Sequence, residues 1–163
     1  GFDKVIFIPA NRSPNKKVAT VQKNRVEMLE LAVEGNPNFE ISDLEIRRGG
    51  ISYTIDTLRE FKEQIVSDDE ISYMIGSDSL LDFKNWKEAK EIIKLCNVIV
   101  AIRPGFRPSD IPSWLLHGIH FANIPRFEIS SSNIRKRWVE DKTIRYMVTL
   151  PVWEYINKHN LYS

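Results

Sequence analysis

The segment whose residues are best suited to bind a ligand is a run of three serines, Ser130-Ser131-Ser132. It opens a predicted helix, with Arg135 one turn further on. The first N–H groups of a helix have no partner within the helix, and the helix dipole is positive at that end. Together with a guanidinium they form a cradle for an anion such as a phosphate. The alternative is an ordinary serine cap followed by a surface arginine, since serine is a preferred N-cap residue.

A second candidate is Gly76-Ser77-Asp78, which directly follows the apolar run 71–75. Ligands of parallel sheets bind just beyond the carboxyl ends of the strands. Gly76 would let a ligand approach the backbone closely, and the Asp78 carboxylate could accept hydrogen bonds from ribose hydroxyls. Equally, the segment could be a turn in which Asp78 or Ser79 caps the next element.

The hydrophobic pattern supplies the elements that must position these segments. Apolar runs predict strands at 5–8, 39–46, 71–75, 98–102 and 119–124. Helical spacing of apolar residues predicts helices at 21–34, at 55–65, through 89–93, at 130–139 and from Pro151 onward. This alternation predicts an α/β fold, a Rossmann-like parallel sheet with helices on both faces.

Glycine and proline residues mark the predicted ends of one helix and one strand. Gly35 follows the helix at 21–34 at the position where a C-cap glycine belongs. Arg103-Pro104-Gly105 ends the strand at 98–102. Arg103 therefore either meets a nucleotide phosphate at the edge of the sheet or faces solvent.

Composition narrows the class of protein. A length of 163 residues with 42% hydrophobic content fits a single domain, 1–163, with one continuous core. The 23 Lys and Arg residues balance 22 Asp and Glu, which argues against a nucleic acid or an anionic membrane as partner. The lone Cys96 cannot form an internal disulfide, and neither a zinc-spaced Cys/His cluster nor a signal-peptide pattern occurs. We therefore expect a cytoplasmic protein.

Other short motifs follow one another in a fixed order over nearly the whole chain. Besides Ile129–Arg135 they are Ile8-Pro9-Ala10, Pro14-Asn15-Lys16, Arg25 with Met28, Ser52-Tyr53-Thr54-Ile55-Asp56-Thr57-Leu58, Ile75-Gly76-Ser77-Asp78-Ser79 and Arg103-Pro104-Gly105. As a set they resemble the signatures of the nicotinate-mononucleotide adenylyltransferases, in which an Ile-Ser-Ser-x-x-Ile-Arg motif grips the ATP phosphates. Each motif is weak alone, but an ordered set within one α/β pattern is hard to obtain by chance.

The resemblance implies transfer of an adenylyl group from ATP to nicotinate mononucleotide, which gives nicotinate adenine dinucleotide and pyrophosphate in NAD biosynthesis. The ATP-binding residues that it implies are Gly76, Asp78, Arg103, Ser130, Ser131 and Arg135. Mg²⁺ accompanies ATP, and Lys16 and Arg135 are the expected catalytic cations. Catalysis would then consist of positioning and charge stabilisation, without a covalent protein nucleophile.

The resemblance also implies a pyridine site. In that family the residue equivalent to Thr54 lies against the nicotinate ring and its carboxylate, and a helix N-terminus favours a carboxylate. Trp86 would supply the other side, because an indole face holds a flat ring of cationic character. The alternatives are that Thr54 is an ordinary first-turn residue and that Trp86 packs in the core.

The sequence also departs from the family. It has no Gly-x-Phe-Asp-Pro-x-His-x-Gly-His motif, which the family carries on its first strand-to-helix connection. The residues 1–5 align with the connection into the second strand, so we expect the first strand, the histidine loop and the first helix to be missing. This chain alone is then expected to turn over poorly. Asn15 stands where the family commonly has His, and His117, His120 and His159 are interpreted as structural or surface residues.

Two other functions stay open. A sister adenylyltransferase, such as the phosphopantetheine type, would share the ATP site and lack the pyridine site, whereas a nucleotide-binding fragment would bind without turnover. A dinucleotide dehydrogenase is disfavoured, because no Gly-x-Gly-x-x-Gly opens a helix. The sequence does not decide between a monomer and a homo-oligomer, or between nicotinate and nicotinamide substrates.

Overall fold

A computed structural model describes residues 2–14, 20–66, 69–102, 111–122, 124–125 and 129–162. The chain forms two units, one of Gly1–Ser52 with Glu128–Ser163 and one of Tyr53–Phe127. Each unit has its own parallel sheet and its own hydrophobic core. A single domain over 1–163 stays a prediction.

Strands and helices alternate along the described chain. In order they are β1 (Val5–Phe7), α1 (Gln22–Val33), β2 (Phe39–Ile41), α2 (Leu44–Arg48), α3 (Thr54–Lys62), β3 (Ser72–Gly76), α4 (Ser77–Asp82), a 3-10 turn (Phe83–Asn85), α5 (Ala89–Leu95), β4 (Asn97–Ala101), α6 (Ser113–Leu116), β5 (Ile119–Ala122), α7 (Ser131–Val139) and α8 (Leu150–Lys158). The predicted α/β class with parallel strands is confirmed. In the part of the chain that the structure describes, no helix is long and apolar enough to cross a bilayer.

The first unit is built on the parallel pair β1 and β2, in which Val5 lies opposite Phe39 and Phe7 opposite Ile41. Gly35, just beyond α1, has a φ of +83°, as a left-handed C-cap glycine requires. The core is formed by side chains from α1, α7 and α8 and from the segment between α7 and α8. Its buried residues are Ile144, Val152 and Ile156, with Met28, Leu31, Ile134 and Trp138 packed against them.

A polar contact joins α8 to α1 within this unit. The Tyr155 hydroxyl donates a hydrogen bond of 2.5 Å to Glu27 and contacts Asn24 Oδ1 at 3.2 Å. The Tyr155 ring also stacks on His159, with 4.1 Å between ring centres. The bond to Tyr155 holds the pKa of Glu27 below its usual value of 4.5. It raises the pKa of Tyr155 from 10.0 to about 12.

The second unit contains three parallel strands with β4 between β3 and β5. Val98 and Val100 of β4 are completely buried. In register, Gly76 lies beside Ala101, and Ala101 beside Ala122. Because the strands are parallel, their carboxyl ends lie at the same end of the sheet, which is where ligands of parallel sheets bind.

Helices and connecting segments complete the core of the second unit. The buried residues outside the strands are Ile55, Leu58, Leu80, Phe83, Ala89, Ile92, Cys96, Ile111 and Leu115. Burial of this many apolar side chains is the main source of stability for such a unit.

The structure corrects two predicted element ends and adds helix α6. The strand predicted at 39–46 ends at Ile41, because Ser42 Oγ accepts the Leu44 N–H at 3.4 Å and Asp43 pairs with Arg47, which starts α2 instead. The helix predicted at 55–65 ends at Lys62. Helix α6, in which Leu115 is completely buried, has no counterpart among the predicted helices.

Gly118 connects α6 to β5 at a close approach to α5. A Cβ at this position would lie 2.7 Å from Ile93 Cβ and 3.0 Å from Ile93 Cδ1. We therefore expect Gly118→Ala to lower the free energy of unfolding by about 1–3 kcal/mol, as overpacking does. Denaturant unfolding followed by circular dichroism measures this, with Lys84→Ala as the exposed control. An unchanged midpoint would show that Ile93 moves aside freely.

The Tyr155–Glu27 bond predicts a pH dependence of stability. Because folding lowers the pKa of Glu27, its contribution to the free energy of unfolding is present above pH 4.5. It is lost as the pH falls through the pKa of the folded state. Because folding raises the pKa of Tyr155, its contribution to the free energy of unfolding is present below pH 10.0. It is lost as the pH rises toward 12. The stability difference between wild type and Tyr155→Phe should therefore be largest between these limits. A pH-independent difference would contradict the prediction.

Candidate functional site

The serine segment forms the N-terminus of α7, as predicted. Ser130 is the N-cap, and its Oγ accepts a hydrogen bond from the Asn133 N–H at 3.1 Å. Arg135 is half-buried, and its guanidinium donates to Ser132 Oγ at 3.4 Å. The first-turn N–H groups have no carbonyl four residues earlier in the helix. The helix therefore presents positive backbone dipoles beside a cation, a combination suited to a phosphate.

A basic cavity of about 430 Å³ lies in the same unit. Its lining residues are Asn11, Arg12, Thr20, Gln22, Arg25 and Gly50. Arg25 donates to the Asn11 carbonyl at 3.3 Å, while its Nε–H is buried without a hydrogen-bond partner among the described residues. Two arginines lining one cavity are again suited to an anion.

Short hydrogen bonds shape this cavity by docking the segment after β1 on the residues before α3. The Asn11 side chain donates to the Gly50 carbonyl at 2.7 Å, and its N–H donates to Ser52 Oγ at 3.0 Å. The Ser52 N–H donates to the Arg12 carbonyl at 2.8 Å. Sequence reasoning singled out Arg25 as a motif residue but missed Arg12, since a lone arginine after a strand has no spacing signal.

In the second unit the Gly76-Ser77-Asp78 segment lies at the carboxyl edge of the sheet. Gly76 is both the last residue of β3 and the N-cap of α4, so neither Asp78 nor Ser79 is the capping residue. Ser77 is buried, whereas Asp78 is exposed in the first turn of α4. An exposed carboxylate at this edge is placed where a ribose could meet it.

Tyr73 connects the two residues expected to bind a pyridine ring. Thr54 is the first residue of α3, and its Oγ1 lies 3.4 Å from the Tyr73 hydroxyl. Trp86 follows the 3-10 turn and meets the Tyr73 ring edge-on at 6.3 Å between centres. It also packs against Phe83 at 4.9 Å. Tyr73 itself was missed, because a tyrosine inside a strand is also an ordinary core residue.

Trp86 combines features of its two interpretations. It packs against the hydrophobic core, as the core interpretation predicts, yet it is only half-buried. Thr54 is half-buried as well. Part of the indole and part of the first turn of α3 therefore face solvent within reach of the same tyrosine.

The remaining candidates are placed as follows. Lys16, Asn15 and Arg103 lie outside the described residues. His117 lies on the surface with Nδ1 3.1 Å from the Ser113 carbonyl, and His120 is exposed. Within the described ranges, no group of three or more His, Cys, Asp or Glu residues could hold a metal ion.

Cys96 is placed as a core residue and not as a nucleophile. Its thiol is buried and contacts the Ile92 carbonyl at 3.4 Å. Burial raises its pKa from 9.0 to about 11. Since the thiolate is the reactive form, this cysteine is a core residue.

Comparison with known proteins gives a consistent set of relatives. A family model described as cytidylyltransferase-like matches residues 1–137. A protein of Thermoanaerobacter sp. named as a probable nicotinate-nucleotide adenylyltransferase is 39% identical over 171 residues, which cover 99% of this chain and 81% of the relative. A protein of the same name from Desulfitobacterium hafniense is 39% identical over 99% of this chain and 82% of its own.

Solved structures show the same fold. The nicotinic acid mononucleotide adenylyltransferase of Plasmodium falciparum complexed with NaAD superposes with a TM-score of 0.77 at 22% identity, covering 98% of this chain and 82% of its own. The same protein complexed with APC gives a TM-score of 0.74 with the same coverage.

Proposed function

The chain belongs to the nicotinate-nucleotide adenylyltransferases within the cytidylyltransferase-like family, and we propose on that basis which residues carry out its reaction. The enzyme transfers the adenylyl group of ATP to nicotinate mononucleotide and releases nicotinate adenine dinucleotide and pyrophosphate. The contact of Tyr73 with both Thr54 and Trp86 is the main support for assigning these two residues to the pyridine substrate.

The pyridine ring is assigned to Thr54 and Trp86. The N–H groups at the start of α3 and the Thr54 hydroxyl suit the ring carboxylate, because a helix N-terminus favours negative charge. The half-buried indole of Trp86 suits the cationic ring. An acceptor such as phosphopantetheine has neither a carboxylate nor an aromatic cation, so this pair favours nicotinate mononucleotide over that alternative.

The nucleotide phosphates are assigned to the serine helix. Ser130 and Ser131 lie at the start of α7, where first-turn N–H groups have no carbonyl partner within the helix, and Arg135 adds a guanidinium. Lys16 and Arg103 are further proposed phosphate contacts by family resemblance. Gly76 and Asp78 are assigned to a nucleotide ribose, and Mg²⁺ enters with ATP as part of the substrate.

The chemical step needs no covalent intermediate on the protein. A phosphate oxygen of nicotinate mononucleotide attacks the α-phosphorus of ATP, and the bond to the pyrophosphate oxygen breaks. The residues named here hold the reactants and offset the charge on the phosphates, which are the two contributions expected of the protein. Arg135 is the described cation assigned to both roles.

The serine-helix assignment predicts the behaviour of Arg135→Ala. Charge-assisted hydrogen bonds are strong enough that their loss should lower ATP affinity by about ten- to a hundredfold. Isothermal titration calorimetry of the full-length protein with ATP measures this. Lys136→Ala, the next residue of α7 and an exposed one, is the control and should bind ATP normally. Unchanged ATP binding in a folded Arg135→Ala protein would refute the assignment.

The pyridine assignment predicts a selective effect of Trp86→Ala. Loss of a stacked cationic ring should raise the KM for nicotinate mononucleotide by about a few-fold to thirtyfold, with a smaller change in the KM for ATP. Trp114→Ala is the matched control, because Trp114 is also a half-buried tryptophan packed against the core of the same unit. Equal changes in both KM values, or the same pattern in Trp114→Ala, would mean that Trp86 only fills the core.

A further inference from the structure

The two residues that follow Trp86 are both ion-paired to α3. Lys87 Nζ lies 2.9 and 2.8 Å from the two carboxylate oxygens of Asp56. Arg59 holds Glu88 with both terminal nitrogens, at 3.1 and 2.5 Å. Hydrogen bonding to Arg59 keeps the pKa of Glu88 below its usual value of 4.5, so this pair is ionised at neutral pH.

These pairs differ from the Lys94–Glu91 ion pair of the same unit. Lys94 and Glu91 are three residues apart on α5, so their contact stabilises only that helix. The Lys87–Asp56 and Arg59–Glu88 pairs join residues 31 and 29 apart in sequence. They therefore fix the position of one segment relative to another.

Lys87 contacts α3 on both sides of Thr54. Besides pairing with Asp56, its ammonium lies 4.9 Å from the centre of the Tyr53 ring. Tyr53 is the N-cap of α3, and Thr54 is the next residue. A shift of Lys87 would thus change the spacing between the indole one residue earlier and the first turn of α3.

Glu88 has a backbone conformation that needs support. Its φ is +51°, in the left-handed region that residues other than glycine rarely adopt. Glu88 lies in a tight turn that is held by two backbone hydrogen bonds. The Trp86 N–H donates to the Phe83 carbonyl, and the Trp86 carbonyl accepts the Ala89 N–H. The two-pronged contact from Arg59 fixes the Glu88 side chain at this turn.

We propose that Asp56 and Arg59 are positioning residues, whose ion pairs with Lys87 and Glu88 hold Trp86 at the distance from Thr54 that the pyridine mononucleotide requires. The inference rests on the proposed function, in which Thr54 and Trp86 bind that ring. An exposed ion pair adds little to global stability. A displaced contact residue, by contrast, weakens the binding of the ligand that it touches. The effect should therefore appear in the KM for nicotinate mononucleotide rather than in the KM for ATP.

A charge-swap cycle tests this proposal in the full-length enzyme. Arg59→Glu and Glu88→Arg each place like charges opposite one another, and the double variant restores an ion pair of reversed polarity. Each single variant should raise the KM for nicotinate mononucleotide by about three- to tenfold, and the double variant should return it to within about twofold of wild type. The KM for ATP should stay nearly constant throughout. Lys94→Glu, which changes the charge of the same unit by the same amount as Arg59→Glu, is the control and should match wild type.

Labelling with 5-fluorotryptophan gives a readout that is independent of activity. The ¹⁹F resonance assigned to Trp86 through Trp86→Phe should move in both single variants and return in the double variant. Unchanged KM values and an unmoved resonance in an active enzyme would overturn the positioning role alone, as would losses that the double variant fails to restore. If the wild-type enzyme formed no dinucleotide from nicotinate mononucleotide, the proposed function would fail, and the inference with it.

Discussion

The burial of β4 is the constraint on which the second unit depends. Val98 and Val100 are completely buried, and both edges of the strand are paired with parallel neighbours. Parallel neighbours require crossover connections, and the described helices occupy them. The carboxyl ends of the strands consequently meet at one edge, where Gly76 and the following helix lie. The position of the candidate nucleotide residues in this unit is thus a result of strand burial.

Tyr73 connects the buried sheet to Thr54 and Trp86, the residues assigned to the pyridine ring. As a member of β3 it is held by the register with Val98, and its side chain reaches Thr54 through the hydroxyl and Trp86 through the ring edge. The sheet therefore provides a rigid support for two residues on different elements. Ion pairs from α3 to the segment after Trp86 act on the same geometry from the outside. Weak surface contacts can matter here because they set a distance rather than a stability.

In the first unit, the start of α7 is compatible with both interpretations of the serine segment. The side chain of Ser130 satisfies one first-turn N–H, which is the ordinary cap interpretation. The remaining first-turn dipoles and Arg135 still point to an anion, so the two interpretations do not exclude each other. The motif residue Arg25 of the same unit also combines two features, since one of its nitrogens donates to the Asn11 carbonyl and another has no partner among the described residues.

The sequence by itself determined the features that depend on near neighbours. These are the α/β order, the left-handed Gly35 and the Ser130 cap, because periodicity and capping act over three or four residues. The structure alone decided that β2 stops at Ile41, and that Tyr73 joins Thr54 to Trp86. Contacts between residues 19 to 31 apart in sequence depend on how α3, β3 and α5 pack together, and no local pattern encodes that packing.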